Sequence, residues 1–135
     1  MTHNRPWAAA AFLTVALAAG ALVACGSDNP ALDSAGSVCT PAGTTLTIAA
    51  RDIKFDKDCL AAPANQELTI TFDNKELVPH NVAIRNRNGD GDLFAGEVFS
   101  GPKTVTYRVP PVPPGTYRFW CSVHPSQMQG TFIAK

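Results

Sequence analysis

From Thr44 onward the chain alternates apolar and polar residues in short runs broken by Pro, Gly, Asn and Asp. Leu46 and Ile48 alternate with Thr45 and Thr47, and Ile53 and Phe55 follow in a similar rhythm. Leu68, Ile70 and Phe72 alternate with Glu67, Thr69 and Thr71, and Val105, Tyr107 and Val109 with Thr104, Thr106 and Arg108. Two further runs carry a different kind of residue on their apolar phase: His80 before Val82 and Ile84, and Cys121 after Tyr117 and Phe119. Thr131 to Ala134 closes the pattern. A period of two marks a half-buried strand, and no stretch after Thr44 has a helical period. Six or seven short strands in about ninety residues predict an all-β sandwich with Greek-key connections. Neighbouring strands lie about 5 Å apart and alternate side chains share a face, so His80 and Cys121 are expected to turn inward at strand ends. Pro110-Pro111-Val112-Pro113-Pro114-Gly115 reads as a stiff crossing and a turn that delivers the chain into the Cys121 strand.

The N-terminal part has a different texture. Met1 to Trp7 carries one arginine, and Ala8 to Ala24 is then an apolar run ending in Leu22-Val23-Ala24-Cys25. A short basic lead, an apolar stretch and small residues before a break predict an export signal over residues 1–24. The run is rich in Ala and poor in Leu and Ile, which weighs against a transmembrane helix. Residues 25–42, rich in Gly, Ser, Asp, Asn, Ala and Pro, read as a flexible tether, leaving residues 43–135 for the folded domain. Composition adds one exclusion. Eleven basic and eleven acidic residues cancel, and no charge run stands out, so neither nucleic acid nor a polybasic membrane contact is indicated.

The four cysteines sort by context. Cys39 and Cys59 are expected to pair in an exported chain, closing a loop of about twenty residues worth about 3 kcal/mol. Cys121 belongs to Cys121-x2-His124-x3-Met128, which brings a thiol, an imidazole and a thioether into eight residues. His3 leaves with the signal, so His80 and His124 are the two imidazoles that remain. One thiolate, two imidazoles and a weak axial thioether form the ligand set of a type 1 copper site, which would cycle one ion between Cu(II) and Cu(I). Asn86-x-Asn88-x-Asp90-Gly91-x5-Glu97 approaches a calcium loop, but Asn stands where the first Asp is expected and strands replace the flanking helices. A hairpin loop accounts for the same letters.

At Pro79-His80-Asn81 and Gly115-Thr116-Tyr117-x-Phe119-x-Cys121-x-x-His124-Pro125-x-x-Met128-x-Gly130 the chain resembles the cupredoxins, in particular small plastocyanin-like and amicyanin-like proteins. The resemblance spans roughly Thr44 to Lys135. It implies that His80, Cys121, His124 and Met128 hold copper, with Gln127 or Gln129 as other candidates for the axial place. It also implies that Asn81 braces the loop near Ser122, and that His124 lies in an apolar surface patch where a partner docks. Leu-Val-Ala-Cys resembles a bacterial lipobox, which implies lipid on Cys25 and a domain anchored to a membrane outside the cytoplasm. The expected protein is a monomeric electron carrier with protein redox partners and no enzymatic activity of its own. Copper delivery, and a copper-free sandwich used for binding, are the competing classes.

Overall fold

The computed structural model describes residues 39–135; the expected signal, Cys25 and most of the expected tether lie outside the described residues. Nine strands follow in order: β1 (Thr45–Arg51), β2 (Lys54–Phe55), β3 (Cys59–Ala62), β4 (Leu68–Asn74), β5 (Ala83–Arg85), β6 (Asp92–Ala95), β7 (Lys103–Val109), β8 (Gly115–Trp120) and β9 (Gln129–Ala134). They form two sheets, one ordered β2-β1-β4-β7 and the other β3-β9-β8-β5-β6. The connections from β2 to β3, β3 to β4, β4 to β5, β6 to β7 and β7 to β8 each leave one sheet for the other, the Greek-key path of a sandwich. Among the described residues no helix is long and apolar enough to cross a membrane.

The period-two pattern becomes burial most directly in β4, where Leu68, Ile70, Phe72 and Asn74 are buried and their neighbours half-buried. Those side chains meet Val82, Ile84, Tyr117, Phe119 and Phe132 from the opposite sheet in one continuous core. Two strands escape the sequence pattern. In β3, Leu60, Ala61 and Ala62 are buried in succession, with no alternation to mark a strand. In β6, an edge strand, Leu93 and Phe94 are only half-buried.

Cys39 and Cys59 form a disulfide across 20 positions, tying the start of the domain to β3. Cys121 is the free cysteine among the described residues, and it is buried. Asn86 to Gly91 forms the loop of the β5–β6 hairpin. Gly89 and Gly91 take the positive φ values of 81° and 71° that the turn demands. Asn86 N–H donates back to Gly91 O, so the near-calcium motif is a hairpin loop between strands.

Candidate metal centre

The chemistry gathers at one end of the sandwich, where β4 runs out and β8 ends. Asn74, the last residue of β4, keeps the inward phase of its strand and is wholly buried. Its amide nitrogen donates to Val78 O (2.9 Å) and Phe99 O (3.1 Å), and its amide oxygen accepts from Glu76 N–H (3.1 Å). An apolar residue there would fill the core equally well, but the loop leading to His80 would lose three of its fixed points. Two backbone hydrogen bonds between His80 and Phe99, each 3.1 Å, then hold His80 against the chain before β7.

With its backbone fixed, the His80 ring is fixed at its far side as well. Nε2 lies 2.7 Å from Glu76 Oε1. A carboxylate at that distance accepts a hydrogen, so Nε2 carries the proton and Nδ1 presents its lone pair. That lone pair faces Cys121 Sγ at 3.7 Å. Glu76 Oε1 also accepts from Ile53 N–H at 3.0 Å. Burial pushes the Glu76 carboxyl up. The Ile53 hydrogen bond, the hydrogen bond and attraction of His80, and a further bond from Asp52 outweigh it, leaving the group below its ordinary value of 4.5. Asp52 and Ile53 both sit at φ 54° in the β1–β2 turn, an outlying conformation for β-branched Ile53. The carboxylate therefore ties a strained hairpin to the ring of a candidate ligand.

Cys121, buried next to the end of β8, anchors the second half of the site. Its N–H donates to Met128 O (2.9 Å), and Met128 N–H donates to His124 O (2.9 Å), so the segment folds back on itself. His124 Nδ1 stands 4.0 Å from Cys121 Sγ, and the two histidine rings lie 4.8 Å apart. Met128 is buried in the same cluster as Cys121, whereas Gln127 and Gln129 are exposed. Asn81, also buried, accepts Ser122 N–H (2.9 Å) and the Ser122 hydroxyl (3.0 Å) on its amide oxygen. Its amide nitrogen donates to Gly96 O at 2.9 Å, so Asn81 pins the turn after Cys121 to the chain leaving β6.

His80, Cys121 and His124 offer three ligand atoms that all lie within 4.8 Å of one another. Three atoms bound at about 2.0–2.3 Å and about 120° apart would be separated by roughly 3.5–4 Å. The two sulfur–nitrogen distances of 3.7 and 4.0 Å match that spacing. Two imidazoles, a thiol and a buried thioether also match a type 1 copper site in kind. Among the described residues, this is the one group of three or more His, Cys, Asp or Glu placed to hold a metal. Sequence reasoning placed His80, Asn81, Cys121, Ser122, His124 and Met128 together but missed Asn74 and Glu76. Glu76 stands four positions before His80, and that spacing carries no signal outside a helix.

A model of the cupredoxin-like domain matches residues 10–134. The chain belongs to that family. Solved structures similar to this cupredoxin-like chain include auracyanin from Roseiflexus castenholzii, at 21% identity and a TM-score of 0.61 over 68% of this chain and 97% of that one. Auracyanin A from Chloroflexus aurantiacus, described as a "blue" copper protein, gives 21% and 0.60 over 69% and 99%. Amicyanin from Paracoccus versutus gives 26% and 0.52 over 71% and 85%. No curated protein matches the sequence. At these identities the auracyanin likeness establishes the cupredoxin-like fold, and the site rests on the chain's own residues.

Proposed function

We propose that this protein carries single electrons on one copper ion that His80, Cys121 and His124 would hold, with Met128 as the fourth donor. The observation that carries the reading is the convergence of two Nδ1 atoms on one buried thiol, at 3.7 and 4.0 Å. Copper bound there would supply a Cu(II)/Cu(I) couple. The chain's own residues do the rest. Glu76 and the Phe99 bridge orient His80, Asn81 holds the turn at Ser122, and the hydrogen bond from Cys121 N–H to Met128 O closes the segment. Ligands held by two sheets in this way keep their places when the charge changes by one, so little rearrangement opposes transfer. The description of auracyanin A as a "blue" copper protein supports the same reading. We further propose a monomer that works outside the cytoplasmic membrane with protein redox partners, anchored through lipid on Cys25.

The test is titration of the purified protein with cupric ion, followed by visible and electron paramagnetic resonance spectra. One equivalent is expected to give an intense blue thiolate-to-copper band with narrow hyperfine splitting, and Cys121→Ser to abolish that band. A pale spectrum, or none, would overturn the carrier reading. Loss of the ion upon reduction would point instead to copper delivery.

A further inference from the structure

The proline-rich crossing that brings the chain into β8 has no part in the metal centre. β7 ends at Val109 beside Leu68, and β8 begins at Gly115 beside Ala134. Residues 110–114 therefore lie at the end of the sandwich away from Cys121, with the six residues of β8, about 20 Å, between the two. Burial through the crossing repeats every third residue. Val109 and Val112 are buried, while Pro110, Pro111, Pro113 and Pro114 are exposed. Three residues per turn is the period of polyproline II, a helix with three edges. One edge is spent on the core, and the other two are prolines facing solvent. Two hydrogen bonds of 2.8 Å hold the crossing: Val112 O accepts from Asn65 N–H, and Pro113 O from the Tyr117 hydroxyl. Arg108 leads into it with 83% of its side chain exposed, 3.3 Å from Glu67. An exposed pair of this kind is weak and is readily exchanged for another carboxylate. Arg108-x-x-Pro111-x-x-Pro114 is thus a preformed ridge with a cation at one end.

We propose that this ridge is a docking site for a protein groove lined by Trp and Tyr and rimmed by Asp or Glu, of the kind found in SH3 domains. Such a groove grips a polyproline II ligand by two of its edges, with proline rings against aromatic side chains and a carboxylate on the arginine. A free peptide must be ordered before it fits. Here the core has already ordered it, so less entropy is lost on binding. The partner would sit at the end remote from His124 and hold the protein in an assembly while the candidate metal centre stays open. Docking here is independent of the copper reading above.

The test titrates the isotope-labelled, metal-free protein with a purified SH3 domain that reads Arg-x-x-Pro-x-x-Pro peptides. Saturable amide shifts are expected at Arg108, Val112, Gly115 and Thr116, with a Kd about tenfold below that of the free peptide of residues 108–114. Pro111→Ala/Pro114→Ala should abolish the shifts and leave the urea midpoint unchanged, since both rings are exposed. Arg108→Gln should weaken binding about tenfold. No shifts, shifts centred elsewhere, or binding that survives the double proline variant would overturn the proposal. So would an affinity no tighter than the free peptide's, which would leave the crossing a stiff connection and nothing more. Because the titration is done without metal, its failure is distinct from failure of the copper reading, which the blue band reports.

Discussion

His80 and His124 present the same nitrogen to the same sulfur, at 3.7 and 4.0 Å, and almost everything behind that nitrogen differs. His80 is fully buried. Its backbone is bonded in both directions to Phe99, and its ring is held from behind by Glu76. His124 is half-exposed, sits in a tight turn between Val123 and Pro125, and has no hydrogen bond to its Nε2 among the described residues. One imidazole is built into the sandwich and the other closes it from outside. A site for electrons needs both, since a buried anchor holds geometry and an accessible edge lets a partner come close.

The largest effect should come from removing each ring in turn. His80→Ala empties a wholly buried volume and takes from Glu76 the shortest of its hydrogen bonds, so the metal-free protein should lose about 3 kcal/mol. His124→Ala removes a half-exposed ring and should cost less than about 1 kcal/mol. Urea unfolding of both variants measures the difference. The glycine variants should separate the two roles again. Added imidazole should restore the blue band to His124→Gly, because the gap opens to solvent, and should fail with His80→Gly. Equal losses, or equal rescue, would erase the distinction.

The same contrast governs what could be read from the sequence. The ligand residues were legible because their chemistry is rare in this chain: two histidines and one thiol remain once the expected signal, the expected lipid site Cys25 and the paired cysteines are set aside. Strand β4 was legible because one face is core and the other is not. Strand β3 was not, because three successive buried residues, two of them alanine, carry no period. The brace on His80 was hidden for another reason. Glu76 and Asn74 act through a loop whose shape depends on Val78, Phe99 and Ile53, contacts up to 25 positions apart. Sequence spacing reports neighbours on one element, and these residues share none.

A smaller effect tests whether Glu76 is what makes His80 an anchor. Glu76→Ala removes the acceptor of both His80 Nε2–H and Ile53 N–H. The expected loss is about 2 kcal/mol in the metal-free protein, since the carboxylate serves two donors at a mostly shielded position. Because Ile53 holds φ 54° against its own preference, its amide should exchange with solvent much faster once released. The blue form of this variant should show a raised reduction potential, since a carboxylate behind the imidazole favours the more highly charged ion. An unchanged Ile53 exchange rate would mean that the β1–β2 turn holds itself.

The smallest effect is a pH dependence, and its sign follows from Glu76 alone. The folded protein holds this carboxyl below its ordinary value of 4.5, so the native state binds its proton less readily than the unfolded chain does. Its contribution to stability is therefore complete above about pH 4.5 and is lost as the pH falls through the lowered value. Glu76→Gln keeps the shape and removes the titration. The stability gap between the wild-type and Glu76→Gln proteins, both metal-free, should narrow as the pH drops from about 6 to about 3. Asp56 is lowered as well: burial raises it, but the Ala49 N–H bond and Lys57 outweigh that. It titrates in both proteins and cancels from the difference. A gap that stays constant across the range would show that the hold on His80 comes from the shape of the Glu76 side chain and owes nothing to its charge.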